Sequence, residues 1–440
     1  MALFDRSALQ DGVSTREMLS WALFDAANSG YSTVVLTAVF NAYFVSTVCQ
    51  GQSWATFLWS ATIALSNAIG MLLMPSISRI ADVTARKKLW LFWATVVCVT
   101  ATAALAFAGP GTYVLAVSMI VLSNLGYSIG ETLNSAFLPE IARPESFGRV
   151  SGWGWSLGYV GGLVTLGLCL LVVLGGQSAG YSEAQLVPAT NLVTAAVFIL
   201  VSLPIFLWLK ERAVAQPCVG TWKDVLAQGR GQMMRTIRSL WIYRDFGWLV
   251  VCGFFYQCGI ATVITLAAIY ASAVMGFTMT DTLVMVLLVN ITAVLGAFGF
   301  GYVQDRLGHK LSLALTLIVW IAMVATAALA TEAWIFWISA NLAGLAMGSS
   351  QSAGRAMVAV FAPKVATAQF YGLWNMALWL SAIVGPITYG TVTWVTGNDQ
   401  RLAILVTGLF FVIGLLALVP VNVSRGAAMA QAPLTSKLLA

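Results

Sequence analysis

The 440 residues are 60% hydrophobic and only 9% charged, against about 25% charged in an ordinary soluble chain, and this composition excludes a soluble globular protein. The net charge of +6 is divided among many short segments rather than gathered on one face, so it argues against nucleic acid as a partner. One histidine, His309, and six cysteines without paired ligand spacing offer no material for a His-ligated haem, a metal site or a disulfide framework, and no cofactor is expected.

Apolar residues arrive in blocks of about 20 to 28, the length that a helix needs to cross roughly 30 Å of hydrocarbon. The first predicted span, 20–48, is too long for a signal peptide and lacks a small-residue cleavage site, so it is expected to stay in the mature protein. It carries Asp25, Asn28 and Asn41. Span two, 54–77, leads into a loop, Ser78 to Lys88, that contains Asp82 and a basic run. After span three, 89–109, the fourth, 112–137, holds Asn124, Glu131 and Asn134. Span five, 150–175, presents Gly152, Gly154, Gly158, Gly161 and Gly162 as a small face for close helix packing. Span six, 187–209, ends the first predicted bundle, 1–209, and the polar segment 210–245 forms a linker.

The second bundle, 246–440, opens with span seven, 246–274, which carries Tyr256 and Gln257. Span eight, 282–303, has Gly296, Gly299 and Gly301 and enters a loop containing Asp305, Arg306 and His309. Spans nine and ten, 311–330 and 333–359, follow, the tenth with Asn341, Gly344, Gly348, Ser349, Gln351 and Arg355. Span eleven, 368–395, contains Trp374, Asn375 and Trp379, and its Gly385-Pro386 pair predicts a bend. Span twelve is 402–421. The expected fold is therefore all-α, with twelve transmembrane helices in two six-helix bundles.

Twenty-one of the 22 Lys and Arg fall on one side of these spans and only Arg401 on the other. By the positive-inside rule both termini and the central segment are expected in the cytoplasm. Two acids lie inside spans, Asp25 and Glu131, and a central charge costs about 2.5–3.5 kcal/mol on insertion scales, so each needs a partner, a wet cavity or a proton. Glu131 with Asp25 is the candidate proton-coupling pair, and Arg355 the candidate for an anionic substrate group; Asp25 paired to Arg355 in a fixed structural network is the alternative. Asn28, Asn134, Tyr256, Gln257 and Gln351 are the candidate substrate-lining polar residues, each equally able to hydrogen-bond across helices.

The loop Gly301-Tyr302-Val303-Gln304-Asp305-Arg306-Leu307-Gly308-His309-Lys310 resembles the signature that major facilitators carry after spans two and eight, and Ser78 to Lys88 is a degenerate copy that keeps Asp82. The resemblance implies that Asp82, Asp305 and Arg306 act at a cytoplasmic gate. Further stretches are similar to one branch, the autophagy-related vacuolar amino-acid effluxers and their bacterial relatives. These are Trp21-Ala22-Leu23-Phe24-Asp25-Ala26-Ala27-Asn28-Ser29, Asn134 to Glu140, Gly148-Arg149-Val150-Ser151-Gly152 and Phe370-Tyr371-Gly372-Leu373. The chain departs from that branch at Tyr256-Gln257-Cys258-Gly259, where an acid is usual, at Gly354 before Arg355, and at Glu131.

Absence of a G-x-x-x-x-G-K-[ST] run points away from ATP and toward an ion gradient as energy source. The expected function is secondary active efflux of a small solute, an amino acid, peptide or organic anion, coupled to protons across a bacterial inner membrane. The expected protein is a monomer in the lipid bilayer, not an enzyme. A non-transporting receptor or chaperone on the same scaffold is the alternative.

Overall fold

The structure, a computed structural model, describes residues 4–216 and 242–432. Lys223, Arg230, Arg235, Arg238 and Cys218 of the predicted linker lie outside the described residues. Twelve long helices follow one another among the described residues: α1 (Thr15–Tyr31), α2 (Ala55–Thr84), α3 (Lys87–Ala104), α4 (Tyr113–Ser135), α5 (Phe147–Ser178), α6 (Glu183–Trp208), α7 (Arg244–Met275), α8 (Met279–Leu307), α9 (His309–Leu329), α10 (Ala333–Phe361), α11 (Thr367–Val395) and α12 (Gln400–Leu418). A short α13 (Val423–Gln431) closes the described chain. No strand occurs among the described residues.

Eleven of these helical segments are long and apolar enough to cross a membrane. The twelfth, α10, is as long as its neighbours at 29 residues but dilutes its apolar stretch with Asn341, Ser349, Ser350 and Gln351. Most of its second half is buried in protein, where polar side chains find partners that lipid does not supply.

Local chemistry sets the helix ends. Ser14 and Glu17 form a reciprocal capping box that starts α1, and Thr278 with Asp281 repeats it for α8. Asp399 caps α12 by accepting from the Leu402 N–H. α7 stops where Gly276 takes the left-handed conformation, φ 66°. One feature of the first span departs from a plain helix: beyond Tyr31 it winds as π-helix over Ser32–Ala38 and Phe44–Val48. Such segments are uncommon and concentrate at functional sites. α11 runs unbroken through Pro386, with Gly385 set against the Cys258 carbonyl.

The described residues form two compact units: those of Met1–Ile141 and Leu157–Ala215, and those of Ala142–Ser156 and Gln216–Ala440. The first few turns of α5 thus pack with α8 and α10, whereas the predicted first bundle placed them with 1–209. Within the first unit, Gly161 lies on the backbone of Ala26, and Gly162 faces Ser29 and Thr33, so α5 and α1 approach through small residues. At its loop end, Glu211 accepts from the N–H groups of Lys87 and Lys88 at the start of α3, Glu17 pairs with Arg212, and buried Lys87 pairs with Glu140. Burial pushes the Glu211 carboxyl above the usual range, and the Lys87 and Lys88 N–H groups oppose that shift.

Within the second unit, α8 and α10 meet at Gly296, Gly344 and Gly348, each against a backbone carbonyl of the other helix. Asp245 at the start of α7 holds the Arg425 side chain of α13 through two hydrogen bonds, 2.7 and 2.8 Å. A Cβ at Gly348 would collide with the Ala293 carbonyl, whereas one at Gly299 would meet nothing within 4 Å. Gly348→Leu is therefore expected to cost about 1–3 kcal/mol through overpacking and to lower the melting temperature of the purified protein. Gly299→Leu, measured beside it by differential scanning fluorimetry, should melt close to the wild type.

Candidate functional site

In the first unit, α1 and α4 each present one polar stripe at helical spacing. Trp21, Asp25 and Asn28 stand at i, i+4 and i+7 on α1, and Tyr127, Glu131 and Asn134 at i, i+4 and i+7 on α4. The stripes interlock. Asn134 Nδ2 donates to Asp25 Oδ1 at 2.8 Å, and Asn28 Nδ2 donates to Glu131 Oε2 at 3.4 Å, so each carboxylate takes an amide from the opposite helix. Trp21 Nε1 completes the set by donating to the Asn134 carbonyl at 2.8 Å. Four residues singled out in the sequence, Asp25, Asn28, Glu131 and Asn134, thus fall in one cluster.

The two acids differ in their surroundings. Asp25 is buried, with Gly158 of α5 close against its Cβ and backbone carbonyl. Glu131 is half-buried and holds the longer, weaker amide bond. Tyr127 stands one turn before it on α4, and Tyr31 packs on Tyr127 with ring centroids 5.3 Å apart. Each asparagine donates one N–H to a carboxylate, and its Oδ1 is buried without a hydrogen-bond partner. Asn124, further along α4, is engaged elsewhere: it donates to Ser66 and Asn67 of α2.

The second unit has its own polar cluster. Gln257 of α7 and Gln351 of α10 exchange hydrogen bonds, Gln257 Nε2 donating at 2.8 Å and Gln351 Nε2 returning at 3.5 Å. Tyr256 is fully buried and its hydroxyl, which has no hydrogen-bond partner, sits over Gly354, where a Cβ would lie 2.5 Å away. Gly354 before Arg355, a departure noted in the sequence, is therefore the space that admits this tyrosine. Arg355 is only 3% exposed. Its Nε donates to Ser151 Oγ at 3.1 Å, its Nη2 donates to the Ser151 carbonyl at 2.9 Å, and the guanidinium lies 5.4 Å from the Trp155 ring centre. Ser151, Trp155 and Tyr371, which donates to the Arg355 carbonyl, were not singled out beforehand as its partners.

At the loop end of α8, Asp305 accepts from the N–H groups of Gly148 and Arg149 at 2.9 and 3.3 Å and from Arg149 Nε at 2.7 Å. The carboxylate sits where the α5 dipole is positive and an arginine completes the pairing. Arg149, not the neighbouring Arg306, is the cation at this site; Arg306 is exposed in the last turn of α8. The quoted Gly148-Arg149 stretch was the available signal. Asp82 is buried near the end of α2, which stops where Ala85 turns left-handed at φ 50°.

The cross-pairing makes a sharp mutational distinction. Asp25→Leu would leave the Asn134 amide buried without its acceptor, a cost of about 1–3 kcal/mol. Asp25→Asn keeps an acceptor there. Thermal unfolding of the purified variants is expected to show a clear loss for the leucine and a smaller one for the asparagine.

Comparison with known proteins places this arrangement. Residues 42–431 match the family described as "Vacuole effluxer Atg22 like". An uncharacterized MFS-type transporter, YxiO, of Bacillus subtilis is 27% identical over 428 residues, covering 95% of this chain and 98% of that one. Autophagy-related protein 22 of Yarrowia lipolytica is 22% identical over 340 residues, 67% of this chain but 55% of its own length, so the chain spans about half of that relative. Among solved structures, the human organic anion transporter MFSD10 superposes with TM-score 0.70 at 15% identity, covering 92% of this chain and 99% of that one. The transporter FucP in the outward conformation superposes with TM-score 0.70 at 15% identity, covering 92% and 98%.

Proposed function

The chain belongs to the Atg22-like vacuole effluxer family and is a multi-pass membrane transporter of the major facilitator superfamily, and we propose that it exports a small organic solute by alternating access coupled to protons. The observation that carries the coupling is the pair of carboxylates, Asp25 and Glu131, set within membrane-spanning helices and each held by an amide of the opposite helix. Export is supported by the family's description as effluxers.

The roles divide by environment. Asp25, buried and tightly bonded to Asn134, is the fixed member that sets the register of α1 against α4. Glu131, half-buried and 3.4 Å from its amide, is the member that gains and loses a proton. A protonated carboxyl moves through a closed, dry state without the cost of a buried charge, whereas an ionised one needs a substrate or water beside it. Gln257, Gln351 and Tyr256 are the proposed substrate contacts within the second unit, and Arg355 is a buried strut that holds Ser151. The Asp305–Arg149 pair is the proposed latch of the cytoplasmic gate, with Asp82 the corresponding carboxylate of the first copy. The chain is taken as a monomer of the bacterial inner membrane with both termini cytoplasmic, as the Lys and Arg distribution supports.

Proteoliposomes under an imposed pH gradient test this reading, with solute pools and proton movement followed together. Wild-type protein is expected to couple solute flux to proton flux, and Glu131→Gln to lose proton-driven flux by about tenfold or more. Asp305→Ala is expected to slow turnover with little change in solute affinity. Undiminished proton-coupled flux in Glu131→Gln would sink the assignment of the coupling group.

A further inference from the structure

At one end of the second unit, α7 begins at Arg244, α10 ends at Phe361, and α13 lies against both. Gly426 of α13 is the point of closest approach: a Cβ there would meet the Phe361 ring at 2.4 Å and the Asp245 Cβ at 3.2 Å. Beside this junction is a cavity of about 190 Å³ whose walls include Tyr243, Arg244, Asp245, Phe361, Arg425 and Met429. Its charged lining is two arginines and one acid.

The acid is already committed. Asp245 is buried; its Oδ2 accepts from Arg425 Nε at 2.8 Å, and its Oδ1 accepts from Arg425 Nη2 at 2.7 Å and from the Asn422 N–H at 2.8 Å. This two-point hold fixes the plane of the guanidinium and leaves the N–H groups of Nη1 without an acceptor among the described residues. Arg244 is exposed and has no salt bridge among the described residues. One positive charge is therefore in excess, next to a guanidinium already set in orientation, and planar guanidinium forks match phosphate oxygens.

The surroundings of these arginines belong to a membrane surface. α7 is one of the membrane-spanning helices, and behind Arg244 its exposed side continues with Trp248 and Val251 at i+4 and i+7. Ile242 and Met429, both on the cavity wall, are exposed as well. A cationic rim above an exposed apolar stripe, with a tryptophan one turn in, complements an anionic phospholipid, whose phosphate meets the rim and whose acyl chains meet the stripe. A soluble anion would use the rim alone. Outside the described residues, the sequence that leads into α7 adds Lys223, Arg230, Arg235 and Arg238 against the single acid Asp224, a juxtamembrane basic run of the kind that anionic lipid attracts.

We propose that Arg244 and Arg425 bind the phosphate of an anionic phospholipid, with its acyl chains along Trp248 and Val251 and α13 forming a wall of the headgroup site. This goes beyond the transport reading and does not depend on it. The Asp245–Arg425 pair then does two things: it holds α13 to the second unit, and it presents the remaining guanidinium N–H groups to the lipid.

Native mass spectrometry of the full-length protein in detergent tests the site, with dioleoylphosphatidylglycerol and dioleoylphosphatidylcholine titrated in parallel, since the two share their acyl chains and differ in headgroup charge. The first phosphatidylglycerol is expected to bind about fivefold or more tightly than the first phosphatidylcholine, the worth of about one cation at an anionic headgroup. Arg244→Gln is expected to lose about that factor, and Arg244→Lys, which keeps the charge, to retain most of it. Arg425→Gln combined with Asp245→Asn leaves net charge unchanged and no buried carboxylate unpaired, and it too is expected to bind phosphatidylglycerol about fivefold more weakly. Arg86→Gln, at an exposed arginine of the first unit, is expected to change the affinity by less than about twofold. Melting curves without added lipid establish that each variant folds. Equal affinity for the two lipids, unchanged binding in Arg244→Gln or in the charge-neutral double variant, or an equal loss in Arg86→Gln would each overturn the assignment. So would displacement of phosphatidylglycerol by millimolar sodium phosphate, which would make this a soluble-anion site. No phosphatidylglycerol binding at all would overturn it as well, leaving the arginines to another group such as the chain's own tail.

Discussion

A charge inside a bilayer must be satisfied by protein, and three such charges, Asp25, Glu131 and Arg355, organise the interior of this molecule. The acids are met by amides on the opposite helix, so the polar stripes of α1 and α4 interlock in one register only. A shift of either helix by one residue would rotate its stripe by about 100° and carry both amides away from their carboxylates. The arginine is met differently, by a hydroxyl and a backbone carbonyl at Ser151 and by the Trp155 ring. A guanidinium bonded through two nitrogens is fixed in orientation, which a lysine ammonium would not reproduce.

Around these charges the helices are held by what they lack. Gly161 on α5 admits the backbone of Ala26, and Gly296, Gly344 and Gly348 bring α8 and α10 into backbone contact. In lipid there is little hydrophobic gain from helix association, so close van der Waals contact and interhelical hydrogen bonds carry more of the packing. The same small faces allow helices to slide without large side chains to unlock, as the proposed alternating access requires.

At the membrane edges the logic is that of ordinary protein electrostatics. Helix starts are met by carboxylates: Glu211 at α3 and Asp305 at α5, while Glu17 closes a capping box at α1. Glu17 and Glu140 also fix the backbone after α6, accepting from the N–H groups of Lys210 and Arg212. The chain that leaves the sixth span is thereby tied to the foot of the unit it came from. Arg425 does the same for α13 through Asp245.

The membrane class, the twelve helices and their approximate ends were legible in the sequence because hydrocarbon thickness imposes a length and a polarity on every span. Asp25 and Glu131 stood out for the same reason, since a charge is conspicuous against an apolar run. Their partners were legible only as spacing: the i, i+4, i+7 stripes are visible in α1 and α4, but nothing in one helix says which other helix it faces. Arg355 shows the limit most clearly. Its charge was evident, yet that its guanidinium goes to Ser151, about 200 positions away in the chain, is decided by packing. The arginine that pairs with Asp305 was hidden likewise, because Arg149 and the adjacent Arg306 are alike in chemistry and differ only in where the fold puts them. The π-helical stretches of the first span had no sequence signal at all, since Ser32–Ala38 and Phe44–Val48 contain neither glycine nor proline. Composition and periodicity determine what each helix must bury, because those costs are local; tertiary structure alone decides which group satisfies which, because that depends on contacts between helices far apart in the chain.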